Sequence, residues 1–319
     1  MEYELLTQNG STIYYPAVEE GIQWETARKG TPGKLTFQVM ADPKLDIQEG
    51  NPVRFKVDGE PVFYGFVFTK SMNSDGMISI TAYDQLRYLK NKDTIVYEGK
   101  TASALLSMLA GDFRLQTGSI EDTGFVIESG VEENQTLFDI IQNALDQTLQ
   151  ATGKLYVLYD DFGKLCLKNI QSMKLGILID DTTAEDFDYS SSIDSQTYNK
   201  IKLTYDNQET GTREVFIAQN GEHQNQWGVL QYFESLQNKT GAADKANSLL
   251  SLYDRKTRKL SVKGAFGSPK VRAGCSVPVM LDLGDVQLKN YMVVEQCTHK
   301  FEKDFHSMDL TLIGGDFVA

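Results

Sequence analysis

A chain of 319 residues, 41% hydrophobic and 24% charged, is long enough for two or three domains that each bury a core. Its 31 basic and 44 acidic side chains give a formal net charge of -13, which repels a phosphate backbone and excludes specific nucleic-acid binding from the expected functions. Seven prolines spread over the whole length argue against a long disordered arm.

The opening Met1-Glu2-Tyr3-Glu4-Leu5-Leu6 lacks the positive region and apolar stretch of a secretory signal, and no apolar run reaches bilayer length. The expectation is a soluble protein synthesised in the cytoplasm, with no stable membrane insertion. Cys166, Cys275 and Cys297 are odd in number, far apart and set in or beside strand-like runs, which predicts buried, reduced thiols.

From Glu2 to about Asp84 the pattern predicts strands at Thr12–Tyr15, Lys34–Met40, Pro52–Val57, Pro61–Thr69 and Met77–Tyr83. The turn-formers Gly30-Thr31-Pro32-Gly33, Asp58-Gly59 and Asn73-Ser74-Asp75-Gly76 separate them, so residues 1–88 are expected to form a first small β-barrel. A short helix is predicted over Thr101–Ala110, with Leu105, Met108 and Leu109 on one face and Gly111 as its stop. Gln135–Ala151 is the clearest helix, because Leu137, Ile140, Ile141, Ala144, Leu145, Thr148 and Leu149 recur three and four residues apart. Asn134 is its expected cap, and Gly153 follows its end.

A hairpin comes next, Leu155–Tyr159 with Lys164–Lys168 about Asp160-Asp161-Phe162-Gly163, completing an α+β middle module over residues 89–188. Residues 189–258 are expected to hold a second hairpin, Ile201–Tyr205 with Arg213–Ala218 around Asp206-Asn207-Gln208-Glu209-Thr210-Gly211. A helix over Ala242–Arg258 follows, with Ala246, Leu249, Leu250 and Tyr253 inward, docking beside a second barrel over residues 259–319. The 200–220 strands are expected to join that barrel.

The last third of the chain replays the first quarter. Gly50-Asn51-Pro52-Val53-Arg54-Phe55, then Val62-Phe63-Tyr64-Gly65-Phe66-Val67, then Met77-Ile78-Ser79-Ile80-Thr81-Ala82-Tyr83-Asp84 reads as a glycine turn and three strands. Gly274-Cys275-Ser276-Val277-Pro278-Val279, then Tyr291-Met292-Val293-Val294, then Met308-Asp309-Leu310-Thr311-Leu312 reads the same way. Gly50 and Gly274 are expected at positive φ. The fold class expected is therefore β-rich α+β, with two related β-barrels in one chain and an intervening α+β module. A trimer of such subunits presents six similar surfaces to a sixfold partner.

Little in the chain points to chemistry. Cys297 and His299 share a strand face, and His306 follows the Phe301-Glu302-Lys303-Asp304 turn, but a structural metal site needs a fourth ligand that is not evident, so half-buried or surface histidines flanking a hairpin are expected instead. The acidic groups Asp160-Asp161, Asp180-Asp181 and Glu185-Asp186-Phe187-Asp188 raise the two-carboxylate chemistry of glycosidases, yet they fall in a predicted turn and a polar loop, where solvated aspartates belong. In Gly30-Thr31-Pro32-Gly33-Lys34 the glycine spacing is wrong for a phosphate loop and Leu35 stands where a magnesium-binding hydroxyl is needed. No catalytic residue, cofactor or metal is expected.

Several segments carry a resemblance to a known family: Glu214-Val215-Phe216-Ile217-Ala218-Gln219-Asn220, Trp227-Gly228-Val229-Leu230-Gln231-Tyr232, Val271-Arg272-Ala273-Gly274, Tyr291-Met292-Val293-Val294-Glu295 and His306 through Phe317. With Phe63-Tyr64-Gly65 and the Tyr83-Asp84-Gln85-Leu86-Arg87-Tyr88-Leu89 run, they resemble the baseplate hub proteins of contractile phage tails and of phage-tail-like bacteriocins, in the form found in Gram-positive defective prophages. The resemblance implies a structural, non-enzymatic homotrimer in the virion or tail-like particle. It implies contacts with the tail tube protein, the central spike protein, the tape measure and other baseplate proteins. Two alternatives stand beside it: a tail-associated cell-wall glycan hydrolase, and a carbohydrate- or receptor-binding module.

Overall fold

A computed structural model describes residues 1–314 apart from 20, 195, 208, 209, 237, 283–286 and 304. Gln208, Glu209 and Asp304 in the expected turns, and Gly315-Asp316-Phe317 in the family motif, lie outside the described residues. The first quarter contains β1 (Tyr3–Asn9), β2 (Thr12–Tyr14), β3 (Ile22–Ala27), β4 (Lys34–Met40), β5 (Pro52–Val57), β6 (Glu60–Met72) and β7 (Met77–Tyr83). Strand alternation sets which side chains go inward: Val53, Phe55 and Val57 on β5 are buried, and so are Ile22 and Trp24 on β3. The sequence pattern missed β1 and β3.

The middle contains β8 (Lys92–Thr101), α1 (Ala102–Asp112), β9 (Thr117–Ile120), β10 (Val126–Thr136), α2 (Leu137–Thr152), β11 (Tyr156–Asp160) and β12 (Leu165–Asn169). Leu137, Ile140, Ile141, Ala144, Leu145 and Thr148 form the buried stripe of α2, facing Leu105, Leu106 and Leu109 of α1 in one core. Two terminus assignments change. Thr136, not Asn134, caps α2, its Oγ1 accepting from the Asp139 N–H at 3.1 Å. Gly111 does not stop α1, which runs through it to Asp112.

The remainder contains β13 (Ile179–Asp180), β14 (Asp186–Ser192), β15 (Lys200–Asn207), β16 (Thr212–Gln219), α3 (Gly221–Trp227), β17 (Gln231–Leu236), α4 (Ala242–Tyr253), β18 (Thr257–Phe266), β19 (Ser276–Asp282), β20 (Gln287–Phe301) and β21 (His306–Ile313). Strands β16, β15 and β17 form their own sheet rather than joining the carboxyl-terminal strands, and α4 packs on it through Ala246 and Leu249. The helix ends at Tyr253 rather than Arg258, because Arg255, Lys256 and Arg258 supply no apolar side chain to continue its stripe. Among the described residues no helix is long and apolar enough to cross a membrane.

Thirteen strands form one sheet, in which β3-β4-β7-β6-β5-β1 and β14-β18-β21-β20-β19-β13 are two runs of the same strand order. Backbone bonds correspond as well. The Gly50 N–H donates to Val67 O at 2.7 Å and the Val67 N–H to Asn51 O at 2.9 Å; the Gly274 N–H donates to Val294 O at 2.8 Å and the Val294 N–H to Cys275 O at 2.9 Å. Both glycines are left-handed, at φ 85° and 92°, and both receiving strands carry an irregularity just beyond the bond, between Val67 and Thr69 and between Val294 and Gln296.

The expected closed barrels are a point of difference: strand pairing follows an open path from β14 to β2, and among the described residues no pairing closes either half into a ring. The physical reason lies in β20. Its edge pairs with β19 over Gln287–Val293 and, past the irregularity, with β3 over 296–301, so the second half spends that edge on the first. Phe301 then enters the first-half core, with ring centroids 5.0 Å from Phe55 and 5.7 Å from Tyr3. The β11–β12 hairpin of the middle module adds Val157, Tyr159 and Cys166 to the second-half core.

Candidate functional site

The β20–β3 seam is where the three parts of the chain meet, and its polar groups are buried. His299 lies directly across from Trp24, ring stacked on ring with centroids 4.9 Å apart. The His299 Nε2 stands 2.8 Å from Val271 O, a carbonyl that can only accept, so Nε2 carries the proton and Nδ1 is left as an acceptor. His306 Nε2, 2.8 Å from that Nδ1, must then donate, which leaves His306 Nδ1 unprotonated and without a hydrogen-bond partner among the described residues. Both rings are therefore neutral. Burial pulls His299 down to about 3, aided by His306, and pulls His306 down to about 4.

This corrects the expectation of surface or half-buried histidines: His299 is 0% and His306 4% exposed. Cys297 Sγ lies 3.1 Å from His299 Nε2, so the three residues do come together, but the two imidazoles spend their facing nitrogens on each other and on Val271 O. Among the described residues no group of three His, Cys, Asp or Glu side chains is arranged to hold a metal. Cys166, Cys275 and Cys297 are free and buried, and burial raises all three thiols, Cys275 to about 11.

Beside the histidines, Arg272 joins all three parts. Its guanidinium donates to Asp160 O at 2.7 Å and lies 4.3 Å from the Tyr159 ring centroid and 5.9 Å from that of Trp24. The next residue, Ala273, donates its N–H to Thr26 Oγ1 at 2.9 Å. Asp84 accepts from the Gly33 and Leu86 N–H groups at 2.9 and 3.0 Å, while Asp160 accepts from the Gly163 N–H at 2.7 Å. Gln85 ties the two segments together, donating to Gly163 O and accepting from the Gln116 N–H at 2.9 Å.

Burial and then the neighbouring Asp160 raise Asp84 well above the usual carboxylate range, with Arg272 opposing; burial raises Asp160 to about 6, with the Gly163 N–H and Arg272 opposing. Asp160 is thus a buried residue, not the solvated turn aspartate expected from the sequence. Of the other acidic groups, Asp180 is paired in β13 and Asp186 and Asp188 lie on β14, whereas Asp161, Asp181 and Glu185 stay in the connecting turns as expected. Two carboxyls of raised pKa are what a glycosidase uses, but Asp84 and Asp160 are 4% and 5% exposed, out of a glycan's reach. The constellation ties segments together. Sequence reasoning missed Asp84, Arg272 and Trp24; the apolar neighbours of Arg272 in Val271-Arg272-Ala273 were the available signal that this cation is enclosed.

The residues of the sequence repeat fall into two places. Gly50, Val53, Phe55, Phe63, Gly65 and Val67 surround the β5–β6 pairing of the first half, and Gly274, Val277, Val279, Tyr291 and Val293 surround the β19–β20 pairing of the second. Unpaired surface lies elsewhere. Val215, Ile217 and Phe233 form an exposed apolar face on the β16-β15-β17 sheet, and Val96 and Val131 are paired and exposed on the β8–β10 ribbon.

This fold is one shared with phage tail proteins. It superimposes with a TM-score of 0.72 on the 43 kDa tail protein of prophage MuSo2 from Shewanella oneidensis, covering 99% of this chain and 100% of that one at 14% identity. Residues 22–313 match the YQBQ-like family, and the chain belongs to it. It is 31% identical to the phage-like element PBSX protein XkdQ of Bacillus subtilis (strain 168), over 95% of this chain and 94% of that protein. YqbQ of the same strain is 30% identical over the same shares. The resemblance carried by the sequence motifs is thereby established.

Proposed function

We propose that this phage-tail structural protein is the baseplate hub: a homotrimeric adaptor that joins the sixfold tail tube to the threefold central spike. The single observation that carries the reading is the strand order found twice in one chain. A tube of six identical subunits offers six equal contacts, and three chains answer them only if each chain contributes two equivalent units. The two strand runs are those units, each a barrel-like module whose remaining edges are completed in the assembly, and the divergent surfaces around them keep the opposite face threefold for the spike. The tape measure and other baseplate proteins are the further partners, and the site of action is the virion or a tail-like bacteriocin particle.

The role is one of assembly, with no reaction. It rests on the XkdQ likeness, on the tail-protein fold and on a polar centre that is sealed from solvent. Native mass spectrometry of baseplates released from purified particles tests it: this chain is expected as a trimer, bound to tube protein. A hexamer, or a chain present in one copy, overturns the adaptor.

A further inference from the structure

The first half pairs its β3 with the second half of the same chain, yet the corresponding strand of the second half, β14, ends the sheet with one edge unpaired among the described residues. The receiving edge is duplicated too. In β20 it is the stretch after the irregularity, 296–301; in β6 the corresponding stretch is 69–72, which pairs on one side with β7 and has no strand on its other side among the described residues. We infer that a second copy of this chain completes the arrangement: β14 of one subunit adds to the free edge of β6 in the next, repeating between chains the β3–β20 seam within each chain. The inference deepens the hub reading and rests on it, naming the strands through which the copies meet.

The register follows from the shared pairing. Leu35 faces Ala82 and Leu260 faces Leu312, and Trp24 and Tyr189 are their respective outer neighbours, so Tyr189 corresponds to Trp24. On the other side, Met72 faces Ile78 as His299 faces Met308, so Met72 corresponds to His299. The seam's own pairs are His299 with Trp24, Thr298 with Glu25 and Cys297 with Thr26. Between subunits they become Met72 with Tyr189, Ser71 with Ser190 and Lys70 with Ser191.

The side chains fit this use. Met72 is 67% exposed, an apolar side chain on a bare strand edge, and in the assembled seam it lies against an aromatic ring, as His299 lies against Trp24. Ser190, Ser191 and Ser71 are small and uncharged, and Lys70, opposite Ser191, is exposed and already donates its Nζ to Ile47 O at 2.7 Å, so its charge is not stranded between the two edges. An edge that carries open N–H and C=O groups is a template for another strand, and a head-to-tail contact of this kind makes a ring when its rotation closes. Three such seams between chains alternate with three within them.

Cysteine pairs introduced into the full chain, assembled in tail particles, test the inference. Ser71→Cys with Ser190→Cys and Lys70→Cys with Ser191→Cys are adjacent opposed pairs, of which one has the closer spacing of a non-hydrogen-bonded pair. Mild oxidation is expected to link subunits into covalent trimers for at least one of them, and not for the off-register pair Thr69→Cys with Ser190→Cys. The native cysteines are buried and do not compete. A trimeric ring that links neither in-register pair, or links the off-register pair equally well, overturns the seam and leaves the hub reading standing. Particles in which the chain is not trimeric overturn both. Met72→Pro removes an N–H that points to the free edge, since the next N–H, that of Asn73, turns to Met77 O on the β7 side. It is expected to block incorporation into particles while the monomer melts as the wild type does; normal incorporation counts against the seam.

Discussion

Gly274 lies against Val157 of the middle module, so closely that a Cβ on the glycine would overlap the valine Cγ1. Gly50 makes the corresponding backbone bond in the other half but has open space at its Cα. Gly50→Ala is therefore expected to cost about 1 kcal/mol, from left-handed backbone alone. Gly274→Ala is expected to cost that and a further ~1–3 kcal/mol of overpacking. Urea denaturation of the two variants gives the comparison, and equal losses would show that Val157 does not press on Gly274.

The buried histidines and aspartates pull stability in opposite directions with pH. The unfolded chain protonates its histidines below their ordinary value of about 6.5, whereas the native state holds His299 and His306 neutral to about 3 and about 4. Their contribution is full above 6.5 and is lost on acidification. Asp160, raised to about 6, binds a proton in the native state before the unfolded chain does, so acidification from 6 towards 3.8 favours folding at that site. Asp160→Asn removes this compensation. The variant is expected to lose stability more steeply than the wild type between pH 6 and 4 in denaturation series; an equal or shallower loss would contradict the assignment.

Phe301 belongs by sequence to the second half and by packing to the first. Phe301→Ala is expected to cost about 3–5 kcal/mol. Its distinctive effect is a loss of hydrogen-exchange protection in β5, whose Phe55 ring it touches, as well as in β20. Protection lost from β20 alone would mean that the halves open independently.

The strands around Gly50 and Gly274 were legible because short-range signals agree there: a glycine turn, alternating polarity and a tight Asp58-Gly59 hairpin. What was not legible depends on partners far away in sequence. Nothing near Ile22–Ala27 announces that β3 pairs with β20, and the alternation of Cys297 and His299 gives a shared face without saying that Val271 and Trp24 enclose it. The cap at Thr136 was missed for a local reason, since Asn134 and Thr136 are both good caps and the choice depends on where β10 stops. Closure of each half was expected from strand count, which does not record that β20 is long enough to serve two partners on one edge.

The sealed carboxyls carry a prediction for chemistry. Purified chain is expected to release neither sugars nor peptides from bacterial cell wall, and Asp160→Asn to leave that result unchanged. Release that this substitution abolishes would mean that the Asp84–Asp160 site opens to substrate and that the chain is a hydrolase.

The central claim is that two units per chain match a sixfold tube. A reconstruction of the intact particle at the tube–baseplate junction tests it most directly. Three copies of this chain are expected in the ring, with both strand runs of each copy touching the tube through similar strands and the α1–α2 module away from that plane. A ring of six copies, or one in which a single run per chain meets the tube, would contradict it.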